Sequence, residues 1–143
     1  MFVLLFTLLG SLYIDTKLTP NPVSRALPAL AWVHQGTWAI NAYHTLTIDK
    51  AFIAGFYYTD KAPLSSWLTT GGYWLAHKFG MTNGLTVAER LQLAVLIGAW
   101  LCGTLPFLWL LVALFLIVQA RGLTLSRSWA LAIMFGFGTY LPS

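Results

Sequence analysis

The sequence predicts an all-α membrane protein, a polytopic bundle of about four transmembrane helices. Of its 143 residues, 58% are hydrophobic and only 8% are charged, against about 25% charged residues in soluble domains. Long uncharged stretches separate the few charges, and a span needs about 20 mainly apolar residues. We predict a single transmembrane domain over residues 1–143, with a long first loop over 15–61 and spans at about 1–14, 62–80, 87–120 and 126–143.

The first and last predicted spans are shorter than a full crossing. Residues 1–14 contain no Lys or Arg, whereas a signal peptide has a basic start and a small-residue cleavage site. We therefore interpret this stretch as an uncleaved anchor. The last stretch stops at Pro142 and Ser143, so both ends are expected to be cuts in a longer protein.

The second span has recognisable helix boundaries. Pro63 suits the first turn of a helix, because the N–H that proline lacks would be unpaired there. At the other end, His77, Lys78 and Gly80 are typical of a helix stop.

The third span begins where Thr86 and Glu89 fit a capping box. At about 34 residues and 1.5 Å per residue, this helix is near 50 Å long, so it must tilt, kink or protrude. Pro106, with Gly103 nearby, is the predicted kink.

The long loop is predicted to carry short helices at the membrane surface. Ser24 is the predicted N-cap of a helix whose apolar face contains Leu27, Leu30, Ala31, His34 and Trp38. Aromatic residues that suit the membrane interface are Trp32, Trp38, Tyr43, Tyr57, Tyr58 and Trp67.

Composition argues against several classes of function. The net charge of +4 comes from eight scattered bases, which form no basic run that could follow nucleic-acid phosphates. The single Cys102 provides no disulfide framework and no CxxC metal pair. The three histidines lack the spacing that favours a metal site.

Two adjacent acid-base pairs, Asp49-Lys50 and Asp60-Lys61, are the candidate functional groups. A charged side chain near hydrocarbon costs a few kcal/mol unless it is paired or hydrated. Charged residues that occur there are therefore functional candidates. The alternative is that they are solvated loop charges with a lysine snorkelling at a helix start. The residues alone leave both interpretations open.

Three stretches of the chain together resemble a known family. They are PNPVSRALPALAWVHQGTWAINAY, GFYYTDKAPLSSWLTTGGYWLAHKFG and the AERL that opens the third span. In this order they resemble the start of GT-C membrane glycosyltransferases, nearest to glycosyltransferase family 39, the protein mannosyltransferase and aminoarabinose transferase type. The sharpest piece is YYTDKAPLSSWL.

The resemblance implies sugar transfer at the outer face of the cytoplasmic membrane of a bacterium. The loop over 15–61 would then be extracytoplasmic. The partners of the protein would be membrane lipid, a polyprenyl-phosphate sugar donor and an acceptor that is a glycan, a lipid or a protein. Displacement at the anomeric carbon, with inversion, needs a carboxylate base and cations or a divalent metal ion to neutralise the leaving phosphate.

The resemblance also implies roles for individual residues. Lys61 matches the family's lysine before the proline and would contact the lipid phosphate, and Arg25 of the SR dipeptide would bind phosphate or organise the loop. Asp60 would help to hold the metal ion. The family's acid before that dipeptide is missing, so the candidate bases are Asp15, ranked first, and Asp49.

A second class of function stays open. With four spans, where the family has many more, this chain alone is not expected to turn over substrate. The alternative is a non-catalytic scaffold subunit or a fragment of a transporter. Transporters are expected to show broken or polar segments near the middle of the membrane, and the second and third spans show only Pro106 and small residues.

Overall fold

Helices make up most of residues 18–138, the part of the chain that the computed structural model describes. The elements in chain order are α1 (Pro20–Gln35), a 3₁₀ turn (His44–Leu46), β1 (Lys50–Ile53), β2 (Phe56–Thr59), α2 (Pro63–Lys78), α3 (Val87–Ala99), a π-helical turn (Trp100–Thr104), α4 (Leu105–Ala120) and α5 (Leu125–Gly138). The mostly helical prediction is confirmed. The two strands form an antiparallel hairpin, which the all-α prediction missed.

One helix among the described residues is long and apolar enough to cross a membrane. The elements α3, π turn and α4 are continuous over Val87–Ala120, 34 residues with a mean hydropathy of 2.5 in the most apolar window. Only 11% of that window is buried, so most of its apolar surface is not covered by the rest of the described chain.

The other predicted spans do not reach this length. α2 has 16 residues and extends about 24 Å at 1.5 Å per residue, less than the roughly 30 Å of a hydrocarbon core. α5 is apolar over Leu125–Phe135 but short. The span over 1–14 and residues 139–143 of the last span lie outside the described residues. The four-span arrangement therefore stays a prediction.

The predicted capping box at the start of the long helix is confirmed. Thr86 Oγ1 accepts the N–H of Glu89 at 3.3 Å, and Glu89 Oε2 accepts the N–H of Thr86 at 2.7 Å. The kink predicted at Pro106 stays a prediction, but a π turn directly precedes this residue, and in it Leu105 N–H donates to Trp100 O. Because Pro106 has no N–H, the regular ladder cannot continue unchanged through this point.

α1 forms the centre of the core, packed between α2 and α3. Leu27, Leu30 and Ala31 are fully buried, so α2 and α3 cover the face that was predicted to lie on a membrane surface. The helix also begins earlier than predicted. Its N-cap is Thr19 and Pro20 occupies the first turn, so the prediction of Ser24 as N-cap is wrong.

α2 runs beside α1 in the same direction, and α3 returns antiparallel. The π turn that follows α3 reaches the start of α2, where Cys102 Sγ lies 3.8 Å from Ser65 O. Two glycines allow close approach. A Cβ on Gly72 would lie 2.6 Å from Ile97 Cγ2, and one on Gly98 would lie 2.7 Å from Thr69 Oγ1. These contacts are typical of small-residue packing between apolar helices.

We predict that Gly98→Ala destabilises the protein by about 1–3 kcal/mol, the usual cost of overpacking. The new methyl group would displace the Thr69 hydroxyl, which donates to Ser65 O at 2.8 Å. Gly71→Ala is the matched control, because its Cβ would meet nothing within 4 Å. Thermal unfolding in detergent compares the two variants, and equal melting temperatures would contradict the packing argument.

A polar cluster joins the far ends of α1 and α2. His34 Nε2 lies 3.0 Å from Tyr73 Oη, and His77 Nδ1 lies 2.6 Å from Thr82 Oγ1. The rings of His34 and His77 pack edge to face at 5.2 Å. Burial is the main cause that lowers the pKa of His34, and the nearby Arg90 and His77 lower it further.

We expect acid to weaken the fold through His34. Since its pKa is lower in the folded than in the unfolded chain, its contribution is present above the unfolded value of 6.5 and is lost as pH falls through the folded pKa. The melting temperature of the wild type should fall more between pH 7.5 and 5.5 than that of His34→Gln, which cannot titrate. An equal fall in both would show that His34 is not responsible.

Candidate functional site

The β hairpin brings together acidic residues that are distant in sequence. Its strands pair in the register Lys50↔Thr59 to Ile53↔Phe56, and the turn residues Ala54 and Gly55 have φ of 50° and 86°. Positive φ at both central residues is what the favoured two-residue hairpin turn requires. Asp49, directly before β1, therefore lies beside the residues that directly follow β2.

Lys61 is the centre of an ion cluster. Its Nζ lies 3.0 Å from Asp49 Oδ2 and 3.2 Å from Asp60 Oδ1. The side chains of Lys61 and Asp49 are 24% and 25% exposed, and that of Asp60 is 41% exposed. The hydrogen bond with Asp49 is the largest cause that raises the pKa of Lys61. With two carboxylates on one ammonium, the cluster carries a net charge of −1.

A buried hydroxyl attaches this cluster to the helical core. Ser24, fully buried in α1, donates to Asp49 O at 2.6 Å and lies 2.7 Å from Thr59 Oγ1. Thr59 Oγ1 also accepts the N–H of Lys61 at 3.3 Å. One side chain of α1 therefore contacts both segments that carry the charged groups.

Lys50 does not belong to this cluster. Its ammonium donates to the backbone oxygen of His44 and lies 5.3 Å from the centre of the Tyr57 ring. Adjacent residues on a strand point to opposite faces, so Asp49 and Lys50 take different partners. The pair Asp60-Lys61, by contrast, lies after the strand and forms a direct ion pair.

An aromatic cleft adjoins the ion cluster. It has a volume of about 180 Å³ and is lined by residues of α1, α2, β2 and the segment after α1, among them Trp38, Tyr58, Lys61, Ser66 and Trp67. The ring of Trp38 stacks on that of Trp32 with centroids 4.8 Å apart. Lys61 is thus shared between the cluster and the cleft.

Arg25 is placed elsewhere. It lines a second cleft of about 220 Å³ between α1, α2, α3 and the π turn, together with Cys102 and Thr69. Among residues 18–138 its guanidinium forms no ion pair. The predicted phosphate-binding residues Arg25 and Lys61 therefore face different clefts.

The remaining site predictions have mixed outcomes. Asp15 lies outside the described residues, so its predicted role as base stays a prediction. Sequence reasoning missed Ser24, Thr59 and Ser66. A run of hydroxyl residues in SSWLTT was visible, but only the structure shows which of them bond to the helix backbone and which one lines the cleft.

A divalent metal ion has an incomplete set of ligands here. No group of three or more His, Cys, Asp or Glu side chains comes together within residues 18–138. Asp49 and Asp60 supply carboxylate oxygens, which Mg²⁺ accepts alongside water and substrate phosphate, but both already bind Lys61. These residues fit a resident metal poorly, and the metal role of Asp60 stays a prediction.

Comparison with known proteins does not assign a family. The chain matches no protein-family model, no curated protein and no solved structure. A function must therefore be argued from the chain's own residues, above all from the ion cluster and the cleft beside it.

We predict that removing the Asp49 carboxylate makes the Lys61 amine more reactive. Asp49→Asn should lower the pKa of Lys61, so a larger fraction of the amine is neutral at pH 9 and reacts faster with acetic anhydride. Asp60→Asn should have a smaller effect, since Asp49 is the larger cause of the raised pKa. Mass spectrometry gives the rate relative to Lys78, and equal rates in all three proteins would refute the cluster.

Proposed function

We propose that the chain belongs to an integral membrane glycosyltransferase that takes its sugar from a polyprenyl-phosphate donor. The observation that carries this proposal is the position of the Lys61 ion cluster. It lies directly before helix α2 and beside an aromatic cleft. A chain with only four acidic residues has two of them on one lysine, and a lysine ammonium is the positive charge that a leaving phosphate needs.

The proposed reaction is a single displacement at the anomeric carbon of the sugar. An acceptor hydroxyl oxygen forms the new bond to this carbon, and the bond from the carbon to the phosphate oxygen breaks with its electron pair. The hydroxyl proton passes to a carboxylate base, and polyprenyl phosphate leaves. The protein must therefore supply a base and a positive charge at the leaving oxygen.

The cluster offers both groups in one place. Asp60 is the more exposed carboxylate and has the longer contact with Lys61, so it is the easier one for a phosphate to displace. Lys61 would then bind the phosphate while it keeps Asp49. Asp49, held at 3.0 Å from the ammonium, is the base that we propose among the described residues. No step requires a metal ion.

We expect the cluster residues to be required for transfer but not for folding. Transfer of radiolabelled sugar from polyprenyl-phosphate donors is measured in proteoliposomes with the full-length enzyme to which this chain is proposed to belong. Asp49→Asn and Lys61→Ala should each lower the rate by at least about 100-fold, the usual contribution of general acid–base groups. Asp60→Asn should have a smaller effect.

Two controls make this experiment decisive. Lys50→Ala removes a neighbouring lysine outside the cluster and should leave transfer within about two-fold of wild type, as for surface charges in general. Asp15→Asn tests the other predicted base. Wild-type turnover in Lys61→Ala would overturn the proposal, and no transfer from any donor by a folded wild type would favour a scaffold or a transporter.

A further inference from the structure

The aromatic cleft beside Lys61 contains a buried polar group without a partner. Ser66 is 2% exposed, and its hydroxyl has no hydrogen-bond partner within residues 18–138. Its neighbours on α2 are satisfied: Ser65 donates to Ala62 O, and Thr70 donates to Ser66 O. An unpaired buried hydroxyl costs about 1–3 kcal/mol. One that is retained at the wall of a cleft therefore indicates that a bound ligand supplies the missing partner.

The rest of the cleft wall is aromatic and partly preorganised. Trp38 and Trp67 are 37% and 57% exposed and line the cleft with Tyr58. The stack on Trp32 fixes the plane of the Trp38 ring before any ligand arrives. Exposed indole faces carry negative charge density and attract the weakly positive C–H groups of a neutral, polar ring.

The lining of the cleft combines polar and apolar groups. Its volume of about 180 Å³ gives room for a small polar molecule. The hydroxyl of Ser66 and the ammonium of Lys61 provide polar contacts at the wall, and the indoles provide apolar ones. This combination of few polar groups and an aromatic surface is typical of a small-molecule site.

We infer that this cleft binds the single sugar ring of the donor. The C–H face of the ring packs on Trp38 or Trp67, and one hydroxyl or amino group of the sugar hydrogen-bonds to Ser66. Lys61, which lines the cleft and contacts both Asp49 and Asp60, then lies at the end of the ring where the phosphate is attached. This inference deepens the proposed function and rests on it, because it names the part of the donor that the cleft recognises.

Direct binding of simple glycosides tests the cleft without catalysis. Saturation-transfer NMR is recorded on the protein in nanodiscs with the methyl glycosides of mannose, glucose, galactose and N-acetylglucosamine. At least one should receive saturation on its ring C–H protons. Trp67→Leu should weaken its binding roughly ten-fold through loss of the aromatic face, and Ser66→Ala about five-fold through loss of one hydrogen bond.

Matched controls separate recognition from folding. Trp109→Leu removes an indole that is 72% exposed on α4, and Ser65→Ala removes the neighbouring hydroxyl; both should bind like wild type. Melting temperatures show which variants are folded. Unchanged binding in Trp67→Leu and Ser66→Ala would overturn the inference, as would displacement of the glycoside by choline, which would identify a cation cage instead.

The transfer assay on the same variants distinguishes the two proposals. Glycoside binding that depends on Trp67 and Ser66, without transfer from any donor, would support the cleft and overturn the enzymatic function. Transfer whose KM for the donor is the same in wild type, Trp67→Leu and Ser66→Ala would support the enzyme and overturn the cleft. The inference expects KM to rise in both variants with little change in kcat.

Discussion

The arrangement of the site depends on one buried hydroxyl group. Ser24 lies inside α1 and bonds both to the backbone before β1 and to Thr59 at the end of β2. A two-stranded hairpin is only marginally stable by itself in water, so it needs such a tertiary anchor. Because the anchor contacts both strands, it also determines that Asp49 and Lys61 meet at one end of α1.

The free edge of the hairpin is protected in the same way. Ile40 N–H donates to Tyr57 O at 2.8 Å, and Tyr57 N–H donates to the Asn41 side chain at 2.7 Å. Ile40 is itself fully buried in the helical core. The segment after α1 therefore satisfies backbone groups of β2 that would otherwise be an open sheet edge, and it carries Trp38 to the cleft on the way.

The packing of the three helices forms two separate clefts. α1 lies between them, with Ser24 and Pro28 on the side of the hairpin and Arg25 on the side of the π turn. Successive residues of a helix point about 100° apart, so the neighbours Ser24 and Arg25 reach different partners. The charged groups are thereby divided: Lys61 is neutralised by carboxylates, whereas Arg25 faces a mainly apolar surface.

Much of the local structure was determined by the sequence alone. The capping box at Thr86 and the helix start at Pro63 were predicted correctly, because each depends on hydrogen bonds or steric limits among residues at most five apart. The apolar run to Ala120 likewise predicted the one helix within residues 18–138 that has the length and composition of a membrane span. Lys61 was already a candidate in the sequence, as one of the few charged residues of an apolar chain.

Tertiary structure alone decided which side chains meet. Asp49 reaches Lys61 only because a hairpin turns at Ala54 and Gly55 and is bound by a serine 25 residues earlier in the chain. The prediction of Ser24 as a helix cap failed for the same reason, since a serine near a helix start suits a cap locally and the competing long-range partners are invisible in the sequence. The unpaired hydroxyl of Ser66 likewise becomes visible only once packing has buried it.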